Sequence, residues 1–151
     1  MGRLSEDMIG TWELTLREDR TAQGMLVAEP ALGPEPLGLL IYDRGGNFAA
    51  QFMKRDRSVA GPDDNAGDNA PAGTNNTRAT GGYDAYFGTY SVNDDQGTVT
   101  QTLSAALSPQ NVGQVVTRAL EVSGDTMTIR VATTTAAGEA VTRLLLWQRV
   151  G

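Results

Sequence analysis

The stretch Thr11-Trp12-Glu13-Leu14-Thr15-Leu16-Arg17 decides the fold, because large apolar side chains at 12, 14 and 16 alternate with polar ones at 11, 13, 15 and 17. A period of two gives a strand with one dry face and one wet face. The same rhythm recurs along the chain. Residues 37–42 and 47–54 flank the turn Asp43-Arg44-Gly45-Gly46, and residues 83–92 and 98–107 flank Asn93-Asp94-Asp95-Gln96-Gly97. Residues 115–122 and 126–133 flank Ser123-Gly124-Asp125, and residues 141–150 close the set. On this reading Val99, Leu103, Ala105 and Leu107 share a face. Val116, Leu120 and Val122 face Met127, Ile129 and Val131. Short turns between strands make antiparallel hairpins. No long amphipathic helix is visible.

Eight such strands suit an all-β, antiparallel up-and-down barrel with an internal cavity, since closure removes the edges that an open sheet exposes. A two-sheet sandwich is the alternative. Two segments interrupt the rhythm: a Pro-containing loop at about 20–36, placed as a lid, and a loop at about 56–82 rich in Gly, Asn, Asp, Ala and Thr. With 151 residues, 40% of them hydrophobic and 20% charged, the chain is expected to form a single domain spanning 1–151.

Composition narrows the chemistry. The net charge of −6, with Lys54 the one lysine, repels a phosphate backbone, so no nucleic-acid partner is expected. No apolar run approaches the roughly 20 residues that span a bilayer, and Met1 to Gly10 has no secretory core. A cytoplasmic protein without a membrane partner is expected. There is no Cys and no His, which removes disulfides, thiolate nucleophiles, Cys/His zinc sites and imidazole-based triads. The run Asp63-Asp64-Asn65-Ala66-Gly67-Asp68-Asn69 superficially resembles a calcium loop, but it lacks Gly at the sixth position and has Thr74 where a Glu belongs. No metal and no cofactor are expected.

From Ile9-Gly10-Thr11-Trp12 onward the chain resembles lipocalins, whose first strand carries Gly-x-Trp and whose last strand lays an Arg over that Trp. Arg149, near Trp147, fits that role. It is more similar to small bacterial and fungal lipocalin-like domains, through Gly38-Leu39-Leu40-Ile41-Tyr42, Ala85-Tyr86-Phe87-Gly88-Thr89-Tyr90, Gly97-Thr98-Val99-Thr100 and Leu107-Ser108-Pro109-Gln110-Asn111-Val112-Gly113. The resemblance implies a calycin-type barrel. Some barrel relatives of this kind serve as cofactor-free cyclases or isomerases in natural-product pathways. Relatives often show a His just after the Gly-Thr-Val-Thr segment. Gln101-Thr102 stands there instead, so chemistry needing that imidazole does not transfer.

Alternation identifies polar side chains on apolar faces, and each of these must find a partner or meet a ligand. Gln101 lies between Val99 and Leu103, and Arg118 between Val116 and Leu120. An inward guanidinium is either half of a structural pair or a clamp for a carbonyl, enolate or carboxylate. Tyr86 and Tyr90 share a face across Gly88, which either opens space for a ligand or marks a bend. Arg143 is expected to enter the cavity, and Tyr42 to reach it. Trp12, Trp147 and Arg149 are read as structural groups at the closed end. Phe48, Phe52, Leu103, Leu120, Met127 and Ile129 complete the expected lining.

If the protein is an enzyme, Arg118, Tyr90 and Gln101 are the candidate catalytic groups. The function expected is binding of a small hydrophobic or aromatic molecule by a monomer or homodimer. The alternative is a cofactor-free cyclase or isomerase that templates its substrate.

Overall fold

The computed structural model describes residues 2–57, 75–77, 79–135 and 138–151. A one-turn helix α1 (Leu4–Asp7) precedes nine strands: β1 (Gly10–Arg20), β2 (Leu26–Val27), β3 (Leu37–Tyr42), β4 (Asn47–Met53), β5 (Tyr83–Asn93), β6 (Thr98–Ala106), β7 (Val115–Ser123), β8 (Thr126–Thr134) and β9 (Ala140–Arg149). Every pairing is antiparallel. The order β1-β3-β4-β5-β6-β7-β8-β9 returns to β1 through a β1–β9 ladder, so eight strands close into an up-and-down barrel. The ninth strand, β2, pairs only Leu26 and Val27 with the end of β1. The expected 56–82 loop, with the calcium-like run at 63–69, lies largely outside the described residues.

One end of the barrel is sealed by the Trp12 lock. The Trp12 indole is fully buried and its Nε1–H donates to the Met8 carbonyl at 3.0 Å. The Arg149 guanidinium lies 4.3 Å from the Trp12 ring centroid and donates 2.6 Å hydrogen bonds to the carbonyls of Ile9 and Asp7. Stacking over the ring face adds a cation–π attraction to the hydrogen bonds. The lock accounts for the glycine of Gly-x-Trp. Gly10 has φ 141°, and a Cβ there would stand 2.5 Å from Arg149 Nη1.

Two irregularities correct the strict alternation. The β1–β9 register shifts between Leu14 and Leu16, so the strand turns over at Thr15. Leu16 leaves the inner face and pairs with Leu146, while Arg17, expected to be wet, turns inward opposite Leu145, and Asp19 follows it opposite Arg143. A bulge carries one extra residue and inverts every side chain beyond it. The second shift lies between Phe87 and Gly88 on the β5–β6 ladder. Past it Ala105 pairs with the exposed Phe87, Ala106 packs on the core, and Leu107 is exposed.

Gly88 sits at that bulge with no room for a side chain. A Cβ would lie 1.9 Å from the Thr102 carbonyl oxygen and 2.8 Å from the Ser104 nitrogen, both backbone atoms. The bend reading of this glycine therefore holds. Gly88→Ala is expected to cost about 2–3 kcal/mol of stability, because backbone of the neighbouring strand must move. A urea melt followed by tryptophan fluorescence measures it. A loss below about 0.5 kcal/mol would show that the bulge relaxes freely.

Candidate functional site

The barrel interior divides into an apolar floor and a polar mouth. The floor starts at the Trp12 lock and includes Leu40, Phe48, Leu120, Met127, Ile129 and Trp147, all buried. Aromatic rings run along it. Tyr42 meets Phe48 at 6.3 Å between centroids, Phe48 meets Tyr86 at 5.9 Å, and Phe52 reaches the Trp147 ring at 5.7 Å and 68°. The first pair is tilted and the other two are edge-to-face, and aromatic contacts of the latter kind add roughly 0.5–1.5 kcal/mol beyond burial. Gln101 donates through Nε2 to the Tyr42 hydroxyl at 2.6 Å. Burial raises the Tyr42 phenol above its ordinary value, so it stays a neutral hydrogen-bonding group. The Trp147 Nε1–H is the one buried side-chain donor among the described residues with no hydrogen-bond partner.

The opposite end is built from charged groups that the strands carry inward. Arg143 makes a bidentate pair with Asp19, Nε to Oδ1 at 2.8 Å and Nη2 to Oδ2 at 3.0 Å, and its Nη1 donates to Asn76 Oδ1 at 2.9 Å. Arg17 donates to Glu29 Oε1 at 3.0 Å, tying the 20–36 loop to the wall. Glu29 Oε2 accepts in turn from the backbone N–H groups of Ala31 and Leu32. Both pairs satisfy buried charges with opposite charges and hydrogen bonds, the condition under which such burial is tolerated.

Arg118 differs. Its Nη1 donates to the carbonyls of Asn75 at 2.7 Å and Thr117 at 3.3 Å, and it forms no ion pair with a described carboxylate. The Asn75 amide clips onto the same strand, accepting from Thr117 N at 2.9 Å and donating to Thr117 O at 2.8 Å. Burial lowers the Arg118 guanidinium from its ordinary value, yet a guanidinium stays charged at any working pH.

The nearby carboxyl is Asp84, at the start of β5. Thr77 Oγ1 donates to its Oδ2 at 2.7 Å and Asn111 Nδ2 to its Oδ1 at 3.4 Å. Burial pushes its pKa up to about 7, against the smaller lowering pull of Thr77, Arg17 and Arg118. Burial likewise raises Tyr86 to about 12, with the Asp84 charge adding to it. With Asp84 protonated, three guanidiniums at the mouth face two carboxylates, Asp19 and Glu29. One positive charge, on Arg118, is left without a counter-charge among the described residues.

Of the residues singled out from sequence, Tyr42, Phe48, Phe52, Tyr86, Gln101, Leu103, Arg118, Leu120, Met127, Ile129 and Arg143 all lie buried inside the barrel. Arg118, Arg143 and Tyr86 come together at the mouth. Arg143 does not add a free positive charge there, because Asp19 takes it. Tyr90 is not in this group. It stands half-buried at the sealed end, packs on Tyr42 at 4.9 Å, gives its hydroxyl to the Asp43 carbonyl, and lines an outer groove of about 410 Å³ with Arg3, Ser5, Arg44 and Asp94. Sequence reasoning missed Arg17, Asp19, Asp84, Thr77 and Asn111. Only Asp84 left a signal, since 84 falls on the same alternation as Tyr86.

The sign of the Asp84 effect on stability follows from its raised pKa. The native state holds this proton up to about pH 7, whereas an unfolded aspartate loses it near 3.9. Its contribution is full below about pH 4 and is lost as pH rises through 7. The stability of the wild type relative to Asp84→Asn is therefore expected to fall between pH 4 and pH 8 in urea melts. A difference independent of pH would mean that Asp84 ionises normally.

No helix among the described residues is long and apolar enough to cross a membrane. A comparison with curated proteins finds none that matches the chain. The family described as lipocalin-like domain matches residues 9–150, which takes in every strand of the barrel. The chain belongs to the lipocalin-like domain family.

Proposed function

We propose that this barrel binds a small, largely apolar molecule bearing one acidic or carbonyl group, with its body on the aromatic floor and its polar end on Arg118. The carrying observation is the buried Arg118 guanidinium, hydrogen-bonded to carbonyls and unmatched by a described carboxylate. A ligand oxygen would replace the Asn75 carbonyl that Nη1 now meets, exchanging a neutral acceptor for a charged one. Charge-assisted hydrogen bonds of that kind are roughly twice as strong as neutral ones. The partnerless Trp147 Nε1–H supplies a second donor in the interior.

A thermal-shift screen of paired apolar carboxylic acids and their methyl esters tests this reading. Acids are expected to raise the melting temperature more than their esters, and Arg118→Met is expected to erase the difference. Loss of one charge-assisted bond corresponds to about tenfold or more in Kd. If no acid shifts the melt, or if Arg118→Met binds acids unchanged, the reading fails.

A second reading, cofactor-free isomerisation or cyclisation, rests on Asp84. A carboxyl with its pKa near 7 is matched to proton transfer at neutral pH, and its charge is felt by Tyr86 and Arg118, groups able to donate a hydrogen bond to a carbonyl. Here Asp84→Asn would abolish turnover of a bound enolisable ketone while leaving its Kd within about twofold. Binding without any Asp84-dependent turnover leaves the carrier reading alone.

A further inference from the structure

The outer wall formed by β3, β4, β5 and β6 carries no charged side chain. Its outward positions run from Leu37 on β3 to Ala105 on β6, and they hold only apolar residues, Thr, Ser, Asn, Gln and Tyr83. This is unusual for a chain with 20% charged residues, and the outer faces of β1, β7 and β8 are marked by Glu13, Glu18, Glu121 and Arg130. Within the uncharged wall Leu37, Leu39 and Ile41 are about two-fifths exposed and Phe87 is 57% exposed. Contiguous exposed apolar surface of this kind marks an interaction site rather than ordinary surface.

The register makes the patch self-complementary. Ile41 lies opposite Ala49, Ala49 opposite Phe87, and Phe87 opposite Ala105. One row across four strands therefore reads large, small, large, small. A two-fold axis passing between β4 and β5 sets Phe87 of one copy over Ala49 of the other, and Ile41 over Ala105, with the reciprocal contacts made at once. That is the isologous arrangement a symmetric dimer requires.

Charge favours the same occupant. Each copy carries −6, so two copies repel least where neither presents a charge. The charges nearest to the row stand at its margins, Glu13 opposite Leu39 and Arg57 over the Tyr83 ring, so within the row a basic or acidic partner protein would find no complementary charge. We propose that the outer face of β3–β6 is a homodimer interface, with Phe87 as its anchor.

Sedimentation velocity on the full chain, at concentrations up to about 100 µM, tests the proposal. The wild type is expected to sediment as a dimer. Phe87→Thr and Ala49→Glu, one removing the knob and the other filling the notch, are each expected to weaken the dimer by about thirtyfold or more. Both should keep the wild-type far-UV circular dichroism, because neither side chain is part of the core. Phe87→Thr, an exposed β-former, keeps the test valid if Ala49→Glu disturbs folding. A monomeric wild type overturns the proposal, including one that instead pellets with phosphatidylglycerol vesicles. A dimer that persists in Phe87→Thr overturns it as well.

Discussion

The ladder between β1 and β9 is the constraint on which the rest of the molecule depends. It converts a meander of hairpins into a closed barrel, and without it both strands would be open edges. It also carries the largest share of long-range contact between the two ends of the chain, so the Trp12 lock and the polar mouth sit at opposite ends of one seam. Arg149 and Trp12 fasten the seam at the sealed end, and Arg143 and Asp19 fasten it at the mouth. The bulge at Thr15 permits both. In a strand of unbroken alternation, a β1 that turned Trp12 and Leu14 inward would turn Asp19 out to solvent and leave Arg143 buried and unpaired, a loss on the order of 3–5 kcal/mol.

That geometry separates two environments inside one small barrel. The floor excludes water through packed aromatic and aliphatic side chains, and the mouth holds three guanidiniums whose hydrogen bonds reach into the segments that join the strands. Arg17 holds the 20–36 loop through Glu29, Arg143 holds Asn76, and Arg118 holds Asn75. The groups that set the electrostatics of the interior are thus the same groups that fix the loops over it. On the proposed binding mode, a molecule taking the place of Asn75 at Arg118 would act on the 75–77 segment and on Asp84 together, because Thr77 bonds Asp84 two residues along.

How much of this was legible in the sequence depends on periodicity. Strands with unbroken alternation gave their bounds and faces well: 37–42 was read to the residue, and Gln101 and Arg118 were read as inward from their neighbours. The resemblance carried by Gly10, Trp12 and Arg149 led to a lock whose physical basis is the space that a glycine leaves for a guanidinium. Both misread faces lie beyond bulges, at Leu16 and Arg17 and at Ala105 to Leu107, where one extra residue inverts the pattern without changing composition. The mouth was largely hidden for the same reason. Its groups come from segments far apart in the chain, and no local spacing brings Asp19 to Arg143 across 124 positions. Tyr90 shares the face of Tyr86, but sequence carries no signal for its height along the barrel, which depends on how the strands stagger on closure and puts its hydroxyl on the Asp43 carbonyl.

The chemistry left to a chain without His or Cys converges on Asp84 and Arg118. In the described interior Asp84 is the carboxyl held near neutrality by burial, and Arg118 is the cation lacking a counter-charge. Ionising Asp84 would supply that counter-charge from within the wall, and an acidic ligand would supply it from outside. The two therefore oppose one another. An anion seated on Arg118 raises the cost of a second negative charge on Asp84, and by reciprocity a deprotonated Asp84 weakens the anion. On the proposed binding mode, protonation at the mouth and occupancy of the barrel would be coupled through the same guanidinium, with affinity changing as pH crosses the raised pKa of Asp84.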